Sequence, residues 1–199
     1  DVLSLPQGLG CCDFHKPSQN LVNAFKTNAQ GLPMFDTYND ADLDYKQLNN
    51  YKVDPRLYHT VAMPGLPWKY EKDKIYQESW VRSPGTYGYY ASLKENVPVG
   101  CGCTVNIDPF YGNSKNRIII RYSDVLLMKA EALIELGQAS QALPLINQVR
   151  QRAANSTVLT GSYTSNNFIS KYEPGVSCTW TQDFARKALR WERRMEFAM

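Results

Sequence analysis

Long apolar runs are missing from this chain. No stretch approaches the roughly 18 consecutive apolar residues that a membrane-spanning helix requires, so no helical span is expected. Histidine is scarce, with only His15 and His59 in 199 residues, which leaves little material for histidine-based catalysis or a standard zinc set. Neither sign of charge dominates: 22 Lys and Arg face 19 Asp and Glu, a net of +3. The one arginine-rich stretch, Arg186 to Arg194, is broken by Glu192 and followed by Glu196. Nucleic-acid binding is not expected on that balance. Asp1 to Ser4 has neither the basic start nor the apolar core of a secretion signal.

What is present reads as an ordered globular body. The chain is 43% hydrophobic and 21% charged, and its length allows one domain or at most two small ones. Its five cysteines are Cys11, Cys12, Cys101, Cys103 and Cys178, an odd count that leaves at least one thiol outside any intramolecular disulfides. Neither close pair has the two-residue gap usual for zinc, so no metal site is expected there. A disulfide between the Cys11 and Cys101 regions would suit an extracytoplasmic protein, although spacing assigns no partners. Asp40, Asp42 and Asp44 alternate like the start of a calcium loop, but no Gly stands at the sixth position and Tyr51 occupies the twelfth. An EF-hand is excluded, leaving a solvated loop as the default over a looser calcium site.

The strongest periodicity lies between Arg117 and Ala153. After the strand-like Ile118, Ile119 and Ile120, apolar residues recur at Val125, Leu126, Ala130, Leu133, Ile134 and Leu136, the spacing of one helical face. Gly137 stands where a left-handed stop belongs, and Ser140 is placed to cap a second helix with the stripe Ala142, Leu143, Ile146, Val149 and Ala153. Pro144 falls in or just after its first turn. The two helices form an antiparallel hairpin of about 34 residues with tetratricopeptide spacing, and no second copy of the unit follows.

Five segments carry a resemblance. Pro17 to Phe25 (PSQNLVNAF), Asp54 to Tyr58 (DPRLY), Arg121 to Ala132 (RYSDVLLMKAEA), Leu143 to Ala153 (LPLINQVRQRA) and Glu192 to Phe197 (ERRMEF) resemble, in that order, the SusD/RagB family of surface nutrient-binding lipoproteins. The resemblance implies a mainly α, SusD-like fold in which a tetratricopeptide-like hairpin carries a large irregular segment and a few short strands. Residues 1–199 then read as a C-terminal region of a longer protein, loop-rich over 1–115 and helical over 116–199. Its implied activity is non-catalytic: capture of an oligosaccharide at the cell surface and delivery to a SusC-like TonB-dependent outer-membrane transporter, with membrane attachment only through a lipid anchor outside this chain. It implies no cofactor. Peptide capture, as in RagB-like members, is the close alternative. A glycoside hydrolase is a weaker one, because no separated carboxylate pair is visible, and a purely protein-binding helical module is a third.

The remaining segments are read from their own residues. Asp1 to Lys16 reads as a surface entry segment, and Ser18 caps a short helix carrying Leu21, Val22 and Phe25. Leu57 to Met63 alternates like a strand, with His59 as a polar strand residue and not a catalyst. Pro64 to Phe110 is broken by glycine and proline and rich in aromatics, the kind of loop region in which binding sites are built. Sugar rings stack their C–H faces on indole and phenol rings, and Trp68, Trp80, Tyr87, Tyr89 and Tyr90 are the candidate stacking residues. Asn155 to Thr179 reads as an exposed excursion. Thr181 caps a last helix bearing Phe184, Ala188, Leu189, Trp191 and Met195, and Arg193, Arg194, Glu131 and Glu192 are candidates for a charged network locking that helix onto the hairpin.

Overall fold

The computed structural model describes residues 2–107, 110–159 and 166–199. Among the described residues six α-helices run in chain order: α1 (Gln19–Ala24), α2 (Arg56–Thr60), α3 (Pro84–Tyr87), α4 (Tyr122–Glu135), α5 (Ala139–Ala154) and α6 (Gln182–Phe197). Six short strands pair into three two-stranded antiparallel ribbons: β1 (Val61–Ala62) with β4 (Ala91–Ser92), β2 (Pro67–Trp68) with β3 (Glu71–Ile75), and β5 (Thr104–Ile107) with β6 (Phe110–Asn113). The fold is mainly helical and the strands are short, as the sequence implies.

The α4–α5 hairpin forms for the reasons its sequence gives. Gly137 adopts φ +76°, and the bonds Gly137 N–H to Ile134 O and Gln138 N–H to Leu133 O close α4 as a left-handed cap does. Ala130 and Ala142 are both fully buried, which lets the two helices approach closely. The buried face of α4 is Leu126, Leu127, Ala130 and Ile134. Val125 and Leu136, placed on that face by the periodicity, are instead exposed, because Leu127 takes the inward position. Ser140 is not the cap of α5: the cap is Gln138, two residues earlier, with no side-chain cap bond. Pro144 therefore lies in the second turn, where it deletes a helix hydrogen bond.

Packing of α6 against this hairpin makes one core, with Leu127, Ile134, Ile146, Ala185, Ala188 and Leu189 at its centre. Thr181 accepts from Phe184 N–H at 3.2 Å and caps α6 as expected. A second core gathers Val22, Phe25, Leu43, Val53, Leu57 and Met195, and a third gathers Trp68, Tyr76, Val81, Ala91 and Leu93. Ser18 caps α1 through Leu21 N–H at 3.2 Å.

Four expectations about local structure are corrected. Arg56 to Thr60 is a helical turn, and only Val61 and Ala62 pair as a strand: Pro55 starts the turn, and the Asp54 carboxylate accepts from Arg56 N–H at 3.0 Å. Ile118 to Ile120 is unpaired and exposed, as are Tyr122, Val125 and Met128. The first 16 residues are not merely a surface entry, since Ser4 and Asp13 are buried and Leu5 and Leu9 pack on the third core. In the excursion after α5, positions 160–165 lie outside the described residues, but Tyr172 is fully buried against the helical core.

The charged network exists with different members. Glu192 is wholly buried and held by Arg56 at 2.5 Å and Arg150 at 3.0 Å. Arg56 also grips Asp54 at 2.6 Å, so two carboxylates and two guanidiniums join α2, α5 and α6. Arg193 pairs with Asp124 of α4 at 3.0 Å on a part-exposed face, Arg194 bonds Asn20 and stacks on Tyr38 and Trp191, and Glu131 is exposed. Burial alone would raise the Asp54 pKa, but the Arg56 guanidinium outweighs it and holds the carboxyl below its ordinary value.

Removing one partner of a buried pair strands a charge at a cost of about 3–5 kcal/mol, whereas an exposed pair contributes about 1 kcal/mol or less. Urea denaturation should therefore show Glu192→Ala strongly destabilised and Arg193→Ala little changed. Because the folded pKa of Asp54 is depressed, its contribution is fully present above the unfolded carboxyl value of 3.8 and is lost as pH falls below it. Stability measured from pH 5 down to about pH 2 should fall less steeply in Asp54→Asn than in the parent chain.

Candidate functional site

Only part of the expected aromatic surface is available to a ligand. Trp68 is fully buried, its indole N–H donating to Val97 O at 3.3 Å and its ring 5.9 Å from that of Tyr76. Tyr90 is also buried and donates its hydroxyl to Leu43 O at 3.1 Å. Both are core residues, a correction to the stacking set, because each closes a hydrophobic cluster and satisfies its polar atom on backbone. Trp80 is half-buried, edge-on to Tyr76 at 5.8 Å, and clasped by the turn at Gly8, where an added Cβ would lie 2.5 Å from the indole. Tyr87 stands exposed on α3.

Tyr89 lies behind a concave surface and touches it through Tyr45. It packs 5.6 Å from Tyr45 at a 48° tilt, and Tyr45 lines a basin of about 360 Å3 with Lys46, Gly65, Ile75, Gln77 and Glu78. Tyr45 donates to Glu78 Oε1 at 2.6 Å, and Lys46 Nζ lies 3.2 Å from the same oxygen. Burial, and then the carboxylate it bonds, push the Tyr45 hydroxyl up to about 12. Glu78 in turn is held below its usual value by the Tyr45 hydroxyl and Lys46. The basin thus sets a phenol face beside an acceptor, an amide and an ammonium, the groups a polyhydroxylated ligand can use. Tyr45 and Glu78 escaped notice in the sequence because Tyr45 sits in a polar stretch that reads as solvated loop, 33 residues before its partner.

A second concavity, of about 230 Å3, opens beside the buried ion pairs and is walled by Arg56, Lys94, Arg121, Arg152, His59 and Glu196. Tyr70 and Ser156 complete its rim. His59, on the last turn of α2, contacts Tyr70 Oη through Nδ1 at 2.7 Å and Ser156 Oγ through Nε2 at 2.9 Å. Ser156 donates to Ala153 O at 2.6 Å, so the assignment that satisfies all three groups has Tyr70 donating to Nδ1 and Nε2–H donating to Ser156. In that arrangement the serine proton is not offered to the imidazole, and the pair is no activated nucleophile. Burial, followed by Arg152, lowers the His59 pKa. Tyr70 reaches the site because the β2–β3 turn is left-handed at two non-glycine residues, Lys69 (φ +46°) and Tyr70 (φ +70°).

The five cysteines divide differently from the expected long-range bridge. Cys101 and Cys103 are joined to each other, while Cys11, Cys12 and Cys178 are free thiols. Asp42 and Asp44, the calcium-loop candidates, are engaged locally: Asp42 accepts from Asn23, and Asp44 caps the short turn at Tyr45 through Lys46 N–H. Among the described residues no helix is long and apolar enough to cross a membrane.

A helical hairpin with a docked third helix, supporting a loop-built surface with open concavities, defines a mainly helical, tetratricopeptide-like class of fold. The chain belongs to the SusD family, whose sequence profile matches residues 4–199. It is 38% identical over 84 residues to the SusD-like protein P38 of Formosa agariphila, a match covering 39% of this chain and 16% of that protein. The crystal structure of a SusD-like protein from Bacteroides fragilis superposes with a TM-score of 0.58 at 23% identity, covering 92% of this chain and 33% of that one. The chain thus spans about a third or less of the length of these relatives.

Proposed function

We propose that this chain is part of a non-catalytic binding protein that captures oligosaccharide nutrients at the cell surface and passes them to a SusC-like TonB-dependent transporter in the outer membrane, to which a lipid anchor holds it. The observation that carries this reading is the SusD-family match across nearly the whole chain. The Tyr45–Tyr89 pair beside Lys46, Gln77 and Glu78 supports a sugar as the ligand, because the rings offer stacking area and the polar groups meet hydroxyls. In this proposal residues 1–115 supply the ligand surface, and the helical residues 116–199 hold it in place. The carboxylates of Glu192 and Glu196 are committed to guanidinium groups, which speaks against their use as a hydrolytic acid and base.

Calorimetric titration of the chain with neutral oligosaccharides and with short peptides tests the proposal. Sugar binding should weaken by about 1 kcal/mol or more in Tyr45→Ala and in Tyr89→Ala, and it should survive Trp68→Phe, which conserves most of the buried volume. Peptide binding without sugar binding would move the chain to the RagB-like branch. Release of shortened sugars during the titration would overturn the non-catalytic reading.

A further inference from the structure

The second concavity has more positive charge than its surroundings neutralise. Among the described residues, four cations, Arg56, Lys94, Arg121 and Arg152, share its wall with one carboxylate, that of Glu196. The ion pairs immediately behind add Asp54 and Glu192 but also Arg150, so five cations stand against three carboxylates in one partly desolvated region. Glu196 is already fully engaged, contacting Arg56, Arg121 and Arg152 and accepting from Ser123 Oγ at 3.1 Å. Lys94 and Arg121 turn for lack of another anion to the Glu196 carbonyl, at 2.7 Å and 2.5 Å. A neutral carbonyl is a weak partner for two cations in a site of low dielectric.

We propose that this cavity is an oxyanion site, taking one carboxylate or sulfate group between Lys94, Arg121 and Arg152, with Tyr70 and Ser156 at its rim. The chemistry follows from the donors: two guanidiniums present planar forks that match carboxylate and sulfate oxygens, and an ammonium adds a point charge. The site is open enough for delivery, since the Arg121 side chain is 34% exposed and that of Arg152 is 56% exposed. Burial, then Arg121, depresses Lys94 to about 7, the condition of an ammonium lacking its counter-charge. An oxyanion carried on a captured nutrient, such as a uronate or a sulfated sugar, rests on the nutrient-binding reading; a free inorganic anion would fill the same site without it.

Differential scanning fluorimetry and calorimetry of the full chain with sodium sulfate, sodium glucuronate and neutral glucose decide the matter, using sodium chloride at equal ionic strength as reference. Sulfate and glucuronate should bind and raise Tm beyond chloride, and Arg152→Gln should weaken both by at least about tenfold. Arg152 is exposed enough that this variant should fold, and Lys94→Arg, which keeps the charge, should retain binding. Affinity should fall between pH 6 and pH 8 as Lys94 loses its proton. The other charged or titratable groups lining the cavity with it are Arg56, Arg121, Arg152, Glu196, Tyr70, which burial raises, and His59, which burial lowers. A Tm gain no larger than with chloride, or binding unchanged in Arg152→Gln, would overturn the site. Neutral oligosaccharide binding with no oxyanion binding would sink this inference alone. Inorganic sulfate binding with no response to any sugar, glucuronate or short peptide would leave the site standing and sink the nutrient reading.

Discussion

The structure depends on the carboxylate of Glu192. It lies on α6, wholly buried, and is gripped from opposite sides by Arg56 of α2 and Arg150 of α5. Those contacts are where the helical hairpin, the last helix and the loop-rich part of the chain meet. Arg150 extends the junction further by donating to Ser170 O and Gly31 O and stacking on Tyr172 at 4.5 Å. A buried ion cluster adds little stability over an apolar packing of similar volume, but it is intolerant of mismatch. Here it fixes the register between elements whose contacting residues lie 136 and 42 positions apart, which an apolar contact would define only loosely.

What the sequence conveyed about this arrangement follows from how local each determinant is. The α4–α5 hairpin was legible because its stripe, its two small residues and Gly137 all lie within 34 residues and all point to the same answer. Its boundaries were less so, since Ser140 and the missing cap at Gln138 differ only in which backbone N–H groups the fold happens to satisfy. Leu57 to Met63 misled for a physical reason: Leu57, His59, Val61 and Met63 at every second position fit a strand, whereas the Asp54 carboxylate bonded to Arg56 N–H starts a turn of helix that runs through Thr60. The network was half visible. Glu192 could be named because it stands among arginines, but its partners Arg56 and Arg150 are the kind of residue normally placed at the surface, and their burial depends on contacts across 136 and 42 positions.

The aromatic surface shows the same division. Trp68 and Tyr89 both lie in a glycine- and proline-broken stretch, and neither carries a periodic pattern to say which faces inward. Burial separates them through tertiary context alone: Trp68 closes the third core on Tyr76, while Tyr89 rests on Tyr45, a residue from a different loop. Composition could identify a region with stacking material but not which rings the core consumes. The cation-lined cavity lay beyond sequence reasoning altogether, because its wall is assembled from α2, the turn after β4, the start of α4, the end of α5 and the end of α6.

The two features are physically linked. Packing α6 through Glu192 brings Glu196, one turn later, to the mouth of the cavity, where it becomes the common acceptor for Arg56, Arg121, Arg152 and Ser123. A carboxylate offers about four lone-pair sites, so four donors leave it no capacity for Lys94. The ammonium is then left with a backbone carbonyl, and its pKa falls toward neutrality under burial and the like charge of Arg121. A fold held by a saturated acid cluster thus creates an adjoining surplus of cations. That surplus is the reason an anionic group is the chemistry the cavity would recognise.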